Sequence, residues 1–423
     1  MRVLISGGGI AGPALAFWLH HSGADVTIVE RAPGPRPGGH AVDVRGVARG
    51  VVEQMGLMTT IKENRVDERG LALVAADGRW MAEMPADLFG GEGIVAEIEI
   101  ARGDLARILY EATAADCTYR FGDRIVALDQ DADGVDVTFA SGDTGRYDIV
   151  VGADGVHSAV RALAFGPDSQ FVHGLGGYTA YFTVPDPGDL ENWFLMFNAP
   201  GRRVAGLRPE RGGTAKASLS FIAPDARYDR LSRAEQERIL ADRMAGAGWK
   251  VAELLAAMPA APDFYFDSID QVRVDKWARG RVVLIGDAGY CGSPLAGLGT
   301  SMSLVGAYVL AGELAAAGCI GGADPAAAFA AYQEQLAAYV EGGLQVPPGG
   351  IKAFAPKTRL MIRLRALSMR MMGVWPMKGM LRKQFGKAEA ITLKNYRFIE
   401  VGAVGVGGAA GLARKDLDTD PPT

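Results

Sequence analysis

Val3-Leu4-Ile5-Ser6-Gly7-Gly8-Gly9-Ile10-Ala11-Gly12 opens the chain and decides its fold. The run Val3-Leu4-Ile5 favours a strand, and Pro13-Ala14-Leu15-Ala16-Phe17-Trp18-Leu19 reads as a helix beyond the glycines. In that frame Gly7 permits a tight turn, Gly9 lets the backbone approach a pyrophosphate, and Gly12 lets helix and strand pack closely. The helix start, Ile10 to Gly12, aims unpaired N–H groups and the positive end of its dipole at phosphate oxygens. Pro13 suits the first turn, where a missing N–H loses no partner. A second strand, Asp25-Val26-Thr27-Ile28-Val29, ends in Glu30. A carboxylate about 20 residues beyond the glycines accepts hydrogen bonds from a ribose 2′-OH and repels a 2′-phosphate. This end of the chain predicts a site for FAD or NAD and not for NADP.

The 423 residues leave room for two or three domains, or for one large domain with an insertion. A formal charge of −5 gives no footprint for nucleic acid. Cys117, Cys291 and Cys319 form no CxxC pair and no metal-ligand spacing, which argues for a reducing compartment and against a metal centre. The first strand starts at once, without a signal peptide, and no stretch is long and apolar enough to span a bilayer. A cytoplasmic protein without membrane insertion is the expectation.

Further on, the turn-rich loop Pro33 to His40 leads through Ala41-Val42-Asp43-Val44-Arg45-Gly46 to a helix ending near Met55. Arg102-Gly103-Asp104-Leu105 opens another helix, and Arg124 to Phe139 alternates like a meander. Tyr147-Asp148-Ile149-Val150-Val151-Gly152-Ala153-Asp154-Gly155 is a buried strand whose turn carries an acid, followed by a helix. From Phe165 to Ile269 aromatic strand-like runs dominate, with one helical insert from Ser232 to Met258, and predict an inserted antiparallel sheet. The nucleotide-binding texture resumes at Val282-Val283-Leu284-Ile285-Gly286-Asp287, with Pro294, Gly297, Leu298 and Gly299 before a long helix from Thr300. A last helical stretch, Ala353 to Phe385, is broken near Gly373 to Pro376. It is basic, with Arg359, Arg363, Arg365 and Arg370 among methionines, and predicts docking onto the acidic remainder of the chain rather than onto a membrane.

An NAD enzyme needs one fingerprint and a catalytic domain. Extended FAD also needs a grip on the ribityl chain and the isoalloxazine ring. Asp287 suits the hydroxyls, and the helix after Gly299 aims its positive end at the ring's pyrimidine side, where reduced flavin carries charge.

Three motifs, with Arg102, carry a resemblance to the single-component flavoprotein aromatic hydroxylases. They are the glycine loop with Glu30-Arg31, then Gly152-Ala153-Asp154-Gly155 with Ser158 and Arg161, then Gly286-Asp287-Ala288 through Pro294 and Gly297-Leu298-Gly299. The resemblance covers about residues 1 to 345. The stretch Gly38 to Gly46 and the closing helix are similar to the branch that holds the tetracycline-inactivating monooxygenases. Tyr290, Ser293 and Ser301 stand where the family often has His, Pro and Asn.

The resemblance implies a mixed α/β (α+β) fold. A discontinuous, Rossmann-like FAD-binding domain (1–70, 98–165 and 270–345) carries an inserted antiparallel-sheet substrate domain (71–97 and 166–269). A C-terminal helical bridge (346–395) and a flexible tail (396–423) follow. It implies non-covalent FAD on Gly7, Gly9, Ile10, Ala11, Gly12, Glu30, Arg31, Arg45, Arg102, Asp154, Gly286, Asp287, Pro294, Gly297, Leu298, Gly299 and Thr300. Arg45, Pro294 and Gly297 surround the reacting edge. NADPH or NADH reduces the flavin, O2 adds to give a C4a-hydroperoxide, and one oxygen passes to a hydrophobic aromatic or polycyclic substrate.

Asp154 reads as architectural in its turn, Cys291 as a small buried thiol, and His40 and His173 as solvated or satisfied histidines. Arg45 is either a surface-loop arginine or a contact for flavin, NAD(P)H or substrate. Tyr181, Phe194, Met196 and Phe221 are candidates to line the substrate pocket, although alternation turns half of any such set away. A flavoprotein reductase without oxygen insertion and a flavin-bearing binding protein remain alternatives. The glycines from Gly405 to Gly411 lack a strand–helix frame and read as tail.

Overall fold

The computed structural model describes residues 1–36, 38–89, 96–224, 226–294, 296–346, 349–372 and 386–398. Its first layer is a six-stranded sheet in the order Ala278–Arg279, Val282–Leu284, Ile149–Gly152, Arg2–Ser6, Asp25–Glu30, Thr118–Phe121. All neighbours pair in parallel except the first two. Val3, Leu4 and Ile5 are fully buried, as a strand covered on both faces demands. The helix Ala11–His20 and the long helix Gly299–Ala316 pack together over this sheet, and the latter is buried at every position from Ser301 to Leu314. That explains why its sequence is apolar all round. The expected meander is a three-stranded antiparallel sheet, Ile125–Gln130, Val135–Phe139 and Thr144–Tyr147.

The second layer is an eight-stranded sheet in the order Tyr290–Cys291, Tyr265–Arg273, Val172–Pro185, Thr214–Ile222, Arg203–Pro209, Trp193–Ala199, Gly70–Val74, Trp80–Pro85. It is antiparallel except where Trp193–Ala199 lies parallel to Gly70–Val74. Period-two alternation sorts its residues. Tyr178, Phe182, Leu195, Phe197, Leu219 and Phe221 build one face, covered by the helices Arg233–Met244 and Val251–Ala257. The insert expected as a single helix is therefore two. Gly246 and Gly248, with φ of +65° and +96°, turn the chain between them.

The opposite face meets the first layer and the C-terminal helices Gly350–Phe354 and Arg359–Met371. Ala366 and Met369 pack there with Leu71, Leu73, Met84 and Met196. Residues 386–398 then return to the first layer, so the C-terminal segment bridges the two. Tyr396 Oη donates to Glu313 Oε1 (2.6 Å), and the Phe398 ring lies 4.6 Å from that of Trp18. This corrects two expectations. Residues 390–398 are not helical, and the tail does not begin at 396, because Tyr396 and Phe398 find aromatic partners in Tyr308 and Trp18. The break near Gly373 to Pro376 and the glycines Gly405 to Gly411 lie outside the described residues. Among the described residues no helix is long and apolar enough to cross a membrane.

Candidate active site

The carboxyl ends of the parallel strands gather the fingerprint residues at one crevice, where ligands bind in such sheets. Gly7 adopts φ +116°, and a Cβ there would lie 2.3 Å from Ala153 O. A Cβ on Gly12 would lie 2.0 Å from Gly7 O. Both glycines are demanded by the protein's own packing. Gly9 differs, because a Cβ there meets no protein atom nearer than Arg102 Nη2 at 3.5 Å. That open space over a helix start, where Ile10, Ala11 and Gly12 lead into the first turn, fits a pyrophosphate.

Glu30 accepts from Gly8 N (2.8 Å) and Ala32 N (2.8 Å), which fixes the carboxylate beside the loop. Arg31 is exposed next to it. Asp154 spends its carboxylate on its own turn. It accepts from Ser158 Oγ, from Ala159 N (2.8 Å), from Val160 N (3.2 Å) and weakly from Ser6 Oγ (3.4 Å). Its side chain thus ties the second motif to the first strand, leaving the backbone of the turn to meet a ligand. Arg161, fully buried, carries this inward by donating to Ala288 O (2.9 Å), in the third motif.

Gly286, at φ +61°, packs between Ser303 and Ala11, so the third motif rests on two helix starts at once. Asp287 Oδ1 lies 3.7 Å from the Cβ position of Gly299. Burial raises its pKa while the Arg102 guanidinium opposes that shift. Leu298, Gly299 and Thr300 form the first turn of the long helix, with Pro294 exposed before it and Gly297 at φ +67°. Tyr290 donates to or accepts from Tyr332 Oη (2.7 Å), so it anchors the motif to the helix Ala326–Leu344. Burial lifts the Cys291 thiol well above its ordinary range and keeps it neutral.

Arg45 is buried, with 6% exposure, and pairs with Asp43 Oδ2 at 2.6 Å. Asp43 Oδ2 in turn lies 3.9 Å from the Cβ position of Gly297. The antiparallel ribbon formed by Ala41–Asp43 and Glu99–Ala101 therefore borders the crevice at Gly297. The surface-loop alternative for Arg45 does not hold.

Of the four substrate candidates, Tyr181 and Phe194 point to this side. Tyr181 stacks on His40 with ring centroids 4.9 Å apart, and Arg208 sits 4.8 Å over the Phe194 ring. Burial and the cations Arg102, Arg208 and Lys216 push the His40 imidazole down to about 3, so it is a neutral stacking partner rather than a solvated histidine. Two candidates are corrected. Phe221 faces away, in the helix-covered core beside Tyr178 and Phe266, because its parity on the strand is opposite to that of Ser220. Met196 has the right parity but lies under the closing helix, touching Arg365 Nη2 (3.5 Å).

Sequence reasoning missed Arg208, Glu68, Glu99 and Lys216. An arginine directly after the apolar run Val204-Ala205-Gly206-Leu207, within one strand, was the available signal, since a buried charge in a strand needs a partner.

Strand order, the glycine cradle, an acid at each of three strand ends and an aromatic sheet across the crevice together fit FAD. Residues 1–345 match the model described as an FAD binding domain, and the chain belongs to this family, the class A flavin monooxygenases. It is an FAD-dependent monooxygenase, as several of its relatives are named. An uncharacterized protein of Mycobacterium tuberculosis is 44% identical over 356 residues, 84% of this chain and 94% of that one. A flavin-dependent monooxygenase of Legionella longbeachae is 37% identical over 343 residues, 81% of this chain and 86% of that protein. The crystal structure of tetracycline destructase Tet(51) superposes with a TM-score of 0.78 at 32% identity, covering 93% of this chain and 99% of that one.

Proposed function

We propose that this protein, working in the cytoplasm, hydroxylates a hydrophobic aromatic or polycyclic small molecule with electrons from NADPH or NADH and one oxygen atom from O2. One observation carries the reading. Asp43 stands 3.9 Å from the Cβ position of Gly297 while its ribbon reaches Arg208 through Glu99, so the flavin loop and the aromatic face share one cleft. The glycine loop, Glu30 and Arg102 hold the adenosine diphosphate end. Asp287 and the backbone from Gly297 to Thr300 hold the ribityl chain and ring, and Arg45 flanks the reacting edge. Bound FAD supplies the passage of electrons to O2 and the transfer of oxygen. Tyr181, Phe194 and His40 orient an aromatic substrate and keep water from it. The similarity to a tetracycline destructase supports a polycyclic substrate.

The test is turnover with NADPH or NADH and a panel of phenols and polyketides under ¹⁸O2. Incorporation of label into product is expected. Substrate-stimulated consumption of reductant with no labelled product would identify a reductase, and stoichiometric binding without consumption a binding protein.

A further inference from the structure

The cleft contains a charge imbalance that the proposed reaction does not yet use. Three carboxylates converge where the ribbon meets the large sheet. Glu99 lies directly opposite Asp43 in the ribbon, and Glu68 comes from the loop before Gly70–Val74. Arg208 reaches in from the large sheet, with Nη2 2.8 Å from Glu99 Oε2 and Nε 3.1 Å from Glu68 Oε2. Arg45 holds Asp43 from the other side at 2.6 Å. The Glu68 and Glu99 side chains are each 1% exposed. Tyr181 and the neutral His40 also face Arg208.

Among the described residues, three carboxylates against these two guanidiniums leave one negative charge in excess at a largely buried place, and the hydrogen-bond geometry repeats the deficit. Glu99 Oε1 accepts from Ala96 N (2.9 Å), but Glu99 Oε2 and both oxygens of Glu68 accept no aligned hydrogen bond from the described residues. A buried carboxylate in that state carries a large desolvation cost. Adjacent carboxyls remove the cost by sharing a proton, because one protonated oxygen becomes a donor to the next group and the cluster becomes neutral.

We propose that Glu68, Glu99 and Asp43 are proton-holding residues that share one proton at neutral pH, in a relay that runs from Glu68 and Glu99, held by Arg208, to Asp43 beside the flavin loop. The proton moves between carboxyl oxygens only, breaking one O–H bond as it forms the next, so no redox partner is required. The direction of the Asp43 and Glu99 shifts agrees. Burial, the largest cause for both, and a neighbouring carboxylate push each up to about 7, against the pull of Arg208 on Glu99 and of Arg45 and Arg208 on Asp43. The purpose of the relay rests on the monooxygenase reading, whereas the proton itself is a property of the chain without ligand.

The experiment is infrared spectroscopy of the full-length, FAD-free protein at pH 7, in H2O and D2O. The carbonyl stretch of a protonated carboxylic acid, shifted by deuterium, is expected in the wild type. It should be lost in each of Glu99→Gln, Glu68→Gln and Asp43→Asn, because an isosteric amide at any of the three leaves two carboxylates against two arginines. Far-UV circular dichroism identifies the variants that remain folded. Absence of the band in the wild type, or its survival in every folded variant, overturns the proposal. In FAD-loaded protein, the folded variants should change the pH profile of kcat more than KM. A unchanged pH profile, with the band behaving as expected, overturns the role in turnover and leaves the flavin assignment untouched.

Discussion

Arg45 N donates to Ser301 Oγ at 3.1 Å, and Ser301 Oγ reaches back to Arg45 O at 3.4 Å. This pair joins the ribbon to the first turn of the long helix, the two elements that flank the flavin ring on the proposed reading. The serine stands where the family often has asparagine, and it closes the contact with a single hydroxyl. Ser301→Ala removes this buried contact, a loss of about 1 kcal/mol. The expected result is FAD binding weakened roughly fivefold by the same free energy. Equilibrium titration with FAD checks it, and unchanged affinity would refute the contact's importance.

The three fingerprint glycines should separate by experiment. Gly12→Val forces a Cβ to within 2.0 Å of Gly7 O and should destabilise the FAD-free protein severely. Gly9→Val has only Arg102 Nη2 at 3.5 Å to meet. It should keep the stability of the FAD-free protein within about 1 kcal/mol, as most surface changes do, while abolishing FAD retention. Thermal melts paired with flavin absorbance of the purified variants distinguish the two, and FAD-saturated Gly9→Val protein would falsify the assignment.

Tyr181 and Phe221 make a matched pair across one sheet. Phe221→Ala empties a well-packed core and should cost about 3–5 kcal/mol of stability. Tyr181→Ala removes a ring stacked on His40 at the cleft and should instead raise KM for the substrate. Urea unfolding and steady-state kinetics on both variants test this, and equal stability losses would reverse the facing assigned to the two strands.

His157 links the turn of the second motif to the large sheet, with Nε2 3.4 Å from Asp267 Oδ1 and Nδ1 3.7 Å from Asp168 Oδ2. The hydrogen bond to Asp267 raises its pKa. A folded-state value above the unfolded one gives stability that is complete below the unfolded pKa and is lost as pH rises through the folded value. The ring is partly exposed, so the contribution is below about 1 kcal/mol. His157→Gln should flatten the decline of Tm between about pH 6 and 8, the range in which histidine titrates. A slope identical to that of the wild type speaks against the linkage.

Tyr396 fastens the returning C-terminal segment, with its hydroxyl 2.6 Å from Glu313 Oε1 and 2.7 Å from Gln335 Oε1. Tyr396→Phe should cost about 1 kcal/mol for the lost hydrogen bonding. Tyr396→Ala should cost about 2–4 kcal/mol because its ring also packs on Tyr308. Denaturant titration gives both values, and an Ala variant as stable as the wild type would detach this segment from the core.

The sequence by itself determined the nucleotide-binding half, because that half is built from local rules. Gly7, at φ +116°, and Gly12, packed against Gly7 O, answer to turn and helix geometry within a few residues of each other, and Glu30 follows at the spacing that one strand–helix–strand unit imposes. The acids Asp154 and Asp287 could be placed for the same reason, each at the end of an apolar strand. Strand alternation showed that the aromatic candidates split between two faces, but nothing local says which parity faces the cofactor. Only the tertiary structure turned Tyr181 and Phe194 toward the cleft, Phe221 into the helix-covered core and Met196 under the closing helix. It alone brought Glu68, Glu99 and Asp43 to Arg208, across more than 100 residues of chain. Those contacts arise where two separately encoded layers meet, and the chemistry of such a seam depends on the docking of both.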